Sequence, residues 1–164
     1  MQKLIPLQKG LITGLAMIAL SLFFFYGLKQ AVESPLQYVI YVLYTIGIAW
    51  SIIAFSSKAT VDNKFKEYFS SGFRTFILIT LLMVVFTFIF YKFNPRILED
   101  KIALNNELAL KEGGHTPNEI EANAKQMRSI FMPMMLMVTT FIYLFLGALL
   151  SAVISGVILQ MKKY

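Results

Sequence analysis

Four long stretches of this chain contain no charged residue: 10–28, 36–57, 75–91 and 129–161. The first has nineteen residues. At about 1.5 Å per residue it makes about 28 Å of helix, close to the hydrocarbon thickness of a bilayer. So short a chain offers no soluble surface behind which four such runs could be buried. The pattern therefore predicts an all-α protein, an integral membrane four-helix bundle, with spans at about 10–28, 36–57, 73–93 and 131–160 in one membrane domain covering residues 1–164. Lys3 and Lys9 precede the first run as in a signal peptide. That run is too long, however, and ends in Phe23, Phe24, Phe25 and Tyr26 rather than small cleavage-site residues, so a retained span is expected.

One long polar passage, Lys92 to Pro133, separates the third run from the fourth. Asn94 before Pro95 suits a helix N-cap followed by its first turn. Ile97, Leu104 and Leu108 then form a stripe widened by Leu98 and Ile102. Gly113 and Gly114 end that helix. Thr116, Pro117 and Glu119 begin another, with Thr116 as cap and Glu119 closing a capping box. Ile120, Ala124, Met127 and Phe131 recur at helical spacing. The expectation is an extracytoplasmic helical hairpin at about 95–130, between the third and fourth spans. Its second helix can run on into the fourth span, where Pro133 removes one backbone hydrogen bond. Periodicity leaves open whether the hairpin stands in water or lies on the lipid surface.

The loop before the third span carries Phe65, Phe69, Phe73 and Phe76 at helical spacing, among Lys64, Lys66 and Glu67. Two readings are open: a short helix lying on the inner membrane surface, whose lysines would favour anionic headgroups, or an extension of the third span's own core.

Charge sets the threading. Four spans put both termini on one side, with residues 1–9, 58–74 and 160–164. That side packs eight Lys and Arg into 31 residues; the other side has seven, balanced by seven acids. Short basic loops face the cytoplasm, so both termini are expected there. Phe23 to Tyr26, Tyr38, Tyr41, Phe90, Tyr91 and Phe93 then fall near the outer interface. Composition agrees: 57% of residues are hydrophobic, 15% are charged, and mean hydropathy is +0.66. The net charge of +6 is accounted for by topology rather than by nucleic acid, which is not an expected partner. The lipid bilayer is.

At this level of detail the chain resembles a known family. The stretches "FSSGFRTF", "FTFIFYKFNPRILED" and "TPNEIEANAKQMRSIFMP", followed by an apolar run and terminal lysines, are similar to an uncharacterised bacterial membrane family, domain of unknown function 4199. The resemblance covers about residues 65 to 163, and Thr116, Pro117, Glu119 and Ile120 hold its turn-and-cap positions. It implies a four-span protein of the bacterial cytoplasmic (inner) membrane. It brings no catalytic residues.

Chemistry is sparse. Charged groups within a span mark ion-coupled transport, and the four runs contain none. Thr13, Ser21, Thr45, Thr80, Thr87, Thr139, Thr140 and Ser151 could line a polar path, though such hydroxyls more often bond their own helix. The absence of cysteine excludes disulfides and thiolate ligands, and the single His115 has no second His or Cys with which to hold zinc. Met132, Met134, Met135 and Met137 suit adaptable packing rather than a copper path. No catalytic, cofactor or metal site is expected, and no enzyme. Small residues recur as Gly10 and Gly14, as Gly147, Ser151 and Ser155, and as Ala148, Ala152 and Gly156. These are candidates for helix packing, within the bundle or between copies. Arg96 and Glu99 are candidate outer contacts, with a local i, i+3 ion pair as the plainer alternative. The function expected is that of a structural or accessory subunit with a protein partner or a second copy. Binding or transport of lipid or a small apolar solute is the alternative.

Overall fold

A computed structural model describes residues 4–32, 34–57, 64–114 and 116–162. His115 lies outside these, as do Lys3, Glu33, Lys58, Asp62 and Lys163, which entered the charge reading. The described residues form helices and contain no strand. Helix α1 covers Pro6–Leu22 and runs into a π turn at Phe23–Gly27; a 3-10 turn at Pro35–Gln37 leads into α2, Tyr38–Ser56. Helices α3, α4 and α5 cover Phe65–Phe93, Arg96–Glu112 and Pro117–Met161. Four helices are long and apolar enough to cross a membrane: Pro6–Gly27, Pro35–Ser56, Phe65–Phe93 and Pro117–Met161. This is a multi-pass membrane protein.

Local chemistry explains the boundaries. Pro6 opens α1, and the Gln8 side chain accepts the Ile5 N–H at 3.0 Å. The Ser34 hydroxyl accepts the Leu36 N–H before α2. The α5 capping box forms as the sequence predicts: Glu119 N–H donates to Thr116 Oγ1 at 3.3 Å, and Thr116 N–H donates to Glu119 Oε2 at 2.7 Å. Gly113 and Gly114 stop α4 with φ of 70° and 92°, a region open mainly to glycine. At the start of α4 the expectation needs correction. The N-cap position falls on Pro95, without a side-chain bond, while Asn94 Nδ2 donates back to the Phe90 carbonyl at 2.8 Å. Asn94 thus closes α3. Helix α3 itself is unbroken from Phe65, and Tyr68 is fully buried. The Phe65–Phe76 ladder therefore belongs to one helix with the third span rather than to a separate short helix, but of its rings only Phe76 is buried, with Phe65 and Phe73 exposed.

The chain forms two compact units, Met1–Met83 with Thr140–Tyr164, and Val84–Thr139. In the first, neighbouring residues fix the helix directions. A Cβ on Gly10 would meet the Thr75 carbonyl, and one on Gly14 would meet Leu82, so α1 and α3 run parallel. Gly47 lies against Thr13, and Lys9 lies over the Trp50 ring, so α2 opposes α1. Gly72 faces Ser151 and Gly147 faces Phe76, so α5 opposes α3. The order is up-down-up-down, with Pro6, Ser56, Lys66 and Lys162 at one end. There Lys162 Nζ donates to the Ser56 carbonyl at 2.6 Å.

The inward face of this unit is small and partly polar. Gly10, Thr13 and Gly14 of α1, Gly47 and Ser51 of α2, Ser71, Gly72 and Thr75 of α3, and Gly147, Ser151 and Ser155 of α5 are all buried. Larger groups fill the remaining gaps, with Met17, Tyr44, Ile48, Ile52, Phe76 and Ile79 almost inaccessible. The outward faces are bulky and apolar. On α5, Phe141, Phe145, Leu149, Val153 and Val157 are each at least half exposed. Small residues inside and large apolar ones outside suit a bundle solvated by lipid. There helices gain from close backbone approach rather than from hiding apolar surface.

Candidate interaction sites

Three helices of the bundle meet at hydroxyl groups. Ser51 Oγ on α2 lies 3.1 Å from Ser71 Oγ on α3, and Ser71 Oγ donates to the Ser51 carbonyl at 3.1 Å. Thr75 Oγ1 is 2.7 Å from Ser51 Oγ, and 3.1 Å from the carbonyls of Pro6 and Ser71. Its single proton can serve only one of these at a time. Buried hydroxyls need partners in hydrocarbon, and these find them across helices. Ser151 Oγ and Ser155 Oγ on α5 are buried with no hydrogen-bond partner. Thr45 and Thr80 bond their own helix, at the carbonyls of Tyr41 and Phe76, the plainer of the two roles open to the span hydroxyls. Tyr44 Oη donates to the Tyr143 carbonyl at 2.7 Å, linking α2 to α5. Ser51, Ser71, Thr75 and Tyr44 were invisible as a set in the sequence. They lie on two helices, and no local spacing relates the α2 pair Tyr44 and Ser51 to the α3 pair Ser71 and Thr75.

The small-residue rows divide by exposure. Gly10, Gly14, Gly147, Ser151 and Ser155 face neighbouring helices of the first unit, with Gly147 pressed against Tyr44 and Phe76. Ala148, Ala152 and Gly156 form a half-exposed row, and a Cβ added at Gly156 would meet nothing within 4 Å.

A cleft of about 600 Å³ opens at the end of the bundle that holds Pro6 and Lys66. Pro6 and Phe55 form apolar walls. Lys66, Ser70 and Arg74 of α3 line it at i, i+4 and i+8, so they share one helix face. Glu67 and Ser71 line it from the adjacent row.

In the second unit α4 packs antiparallel to the first part of α5. Arg128 Nε donates to Glu99 Oε1 at 3.0 Å and Arg128 Nη2 to Glu99 Oε2 at 2.8 Å. This two-pronged pair replaces the local Arg96–Glu99 pairing considered from the sequence; Arg96 is exposed. The antiparallel packing of α4 on α5 brings the Arg128 guanidinium to both Glu99 oxygens at once, the two-pronged fork geometry. Hydrogen bonding from Arg128 holds the Glu99 carboxyl below its ordinary value, and the same bond raises Arg128. The seam is also shifted from expectation on α4. Ile102 is buried and Leu98, Asn106 and Ala109 are half-buried, whereas Leu104 and Leu108 are 60% and 49% exposed. On α5 the expected stripe holds, with Ala124 and Phe131 buried and Ile120 and Met127 half-buried. The Phe131 ring meets Tyr91 edge-on at 5.1 Å.

Among the described residues no cluster of His, Asp and Glu could hold a metal ion. A family described as protein of unknown function (DUF4199) matches residues 8–160. The chain belongs to this family. The match takes in the first two spans as well as the region from "FSSGFRTF" onward, so the DUF4199 unit includes the bundle, its hydroxyl junction and the hairpin sequence together. No curated protein and no solved structure matches the chain.

Proposed function

We propose that this DUF4199 protein is a non-enzymatic accessory subunit of the bacterial cytoplasmic membrane, with both termini cytoplasmic and the α4–α5 hairpin on the outer side as its docking element. The observation that carries this is the division of leucines on α4. Its seam with α5 uses Leu98 and Ile102, yet Leu104, Leu108 and Leu110 remain 60%, 49% and 67% exposed. A charged helix that already has one apolar seam does not need this second surface to fold, and exposed apolar groups rimmed by charge mark protein contacts. Arg96, Asp100, Lys101 and Lys111 supply a charged rim of both signs around these leucines, which would orient a partner.

The distribution of ionisable groups supports a non-catalytic role. Glu99 is committed to Arg128, and Glu107 to Lys111 at 2.7 Å. Glu99 and Asp100 are neighbours that diverge by about 100° around the helix, so they do not converge on one atom.

Photocrosslinking residues placed at positions 104 and 110 in native membranes test the proposal. A discrete crosslinked polypeptide is expected at these positions and not at position 149 on the lipid-facing side of α5. Crosslinks to lipid alone at all three positions would refute it.

A further inference from the structure

The cleft at the Pro6–Lys66 end of the bundle combines features that the accessory-subunit role does not require. Lys66 and Arg74 line it from one face of α3, two helical turns apart, and Ser70 lies between them. Among the described residues neither cation pairs with a carboxylate, and the Ser70 hydroxyl makes no hydrogen bond. Two cations and a hydroxyl in one row present a lysine point charge, a planar guanidinium and a neutral donor. This set matches the non-bridging oxygens of a phosphate group. Glu67 also lines the cleft.

Depth and neighbours identify the source of that phosphate. Arg74 immediately precedes the uncharged run 75–91, so the row ends where hydrocarbon begins. The next row around α3 is an aromatic ladder. Phe65 and Phe69 stack at 5.9 Å and Phe69 meets Phe73 at 6.2 Å, with Phe65 and Phe73 41% and 45% exposed. Pro6 and Phe55 form the apolar walls, and Leu4, Ile5 and Leu7 beside Pro6 are exposed. A basic row flanked by exposed aromatic and aliphatic groups at the hydrocarbon boundary suits a ligand with an anionic head and apolar tails.

We propose that the cleft is a binding site for the phosphate headgroup of a membrane phospholipid, held by Lys66, Ser70 and Arg74 with its acyl chains against Phe55 and the α3 aromatic ladder. The site does not depend on the hairpin's role, and it would stand if the docking proposal failed.

Native mass spectrometry of the full chain in mild detergent doped with phosphatidylglycerol tests this. The wild type is expected to retain the lipid. The double variant Lys66→Gln, Arg74→Gln is expected to lose retention by about tenfold or more, because two charge-assisted contacts vanish together. The conservative pair Lys66→Arg, Arg74→Lys should restore much of it. Ser70→Ala, which leaves the charges and the fold intact, should weaken it by a smaller factor. Lys92→Gln, beyond the far end of the uncharged run, should leave it unchanged. Equal retention by the wild type and the double variant, with both giving the same helical circular dichroism, would overturn the site. Displacement of the lipid by excess inorganic phosphate would overturn the lipid assignment in favour of a free-anion site; persistence of the lipid supports the headgroup.

Discussion

Substituting Gly147 by alanine adds one methyl group where α5 meets α2 and α3. A Cβ at that position would press on Tyr44 Oη and come within 2.6 Å of the Phe76 ring. Neither neighbour yields easily. Phe76 is 2% exposed, and Tyr44 is fully buried with its hydroxyl donated to the Tyr143 carbonyl at 2.7 Å. Overpacking of this kind costs about 1–3 kcal/mol. Displacing Tyr44 also breaks a hydrogen bond worth about 1 kcal/mol. Against this, alanine gains about 1 kcal/mol over glycine as a helix former. The net expectation is a loss of about 1–3 kcal/mol. Gly156 provides the comparison on the same helix, since a Cβ there meets nothing within 4 Å. Gly156→Ala should be neutral or stabilising by up to about 1 kcal/mol. The assay is reversible unfolding in mixed micelles of rising denaturing-detergent fraction, followed by helical circular dichroism and by the fluorescence of Trp50, the chain's one tryptophan. If Gly147→Ala unfolds at the wild-type midpoint, or if the order of the two variants reverses, α5 does not pack on Tyr44 and Phe76 as described.

Other consequences are smaller. Tyr44→Phe removes the hydroxyl's bond to the Tyr143 carbonyl and its contact with Thr80, and should destabilise by about 0.6–1.5 kcal/mol in the same assay; no loss would mean that the hydroxyl does not link α2 to α5. Thr116→Ala removes half of the α5 capping box, and about 1 kcal/mol of local stability should appear as faster amide exchange at 118–120, with exchange at 145–155 unchanged. Glu99 has a folded pKa below its ordinary value. Its bond to Arg128 therefore stabilises the hairpin above the ordinary glutamate pKa and is lost as pH falls through the lowered one. Hydrogen-exchange protection across 120–128, taken relative to the intrinsic exchange rate at each pH, should fall on acidification through that window, and Glu99→Gln should flatten the response. An unchanged acid response in Glu99→Gln would assign it to another carboxylate.

The four spans were legible because a charge in hydrocarbon is costly. Runs free of Asp, Glu, Lys and Arg mark helices with little ambiguity. The caps of α5 and the glycine stop after α4 were legible for a similarly local reason: each depends on residues within one turn. The faces were harder. Helix α2 is apolar nearly all round, so its sequence does not distinguish the buried Tyr44, Gly47 and Ser51 from the exposed Val42, Ile46 and Ile53. On α4, Leu104 and Leu108 fit a helical stripe as well as Leu98 and Ile102 do, and only the partner helix selects between them. Glu99 lies 29 residues from Arg128, beyond any local pairing rule, so the nearby Arg96 looked the natural partner. The cleft was the least legible feature. Its walls come from α1, α2 and α3; the sequence offers a surface helix whose lysines suit anionic headgroups, but nothing local brings Pro6 and Phe55 to the Lys66, Ser70 and Arg74 row.

The central claim is that lipid solvates the bulky face of α5 while small residues hold its other face inside the bundle. The chain has no cysteine, so single cysteines can be placed at each position from 141 to 157 and spin-labelled in phospholipid vesicles. Collision with dissolved oxygen, which concentrates in hydrocarbon, should peak at 141, 145, 149, 153 and 157 and reach minima at 143, 147, 151 and 155, with a water-soluble nickel complex excluded throughout. Access of the nickel complex to the 141–157 face, or an oxygen profile without this four-residue repeat, would contradict it.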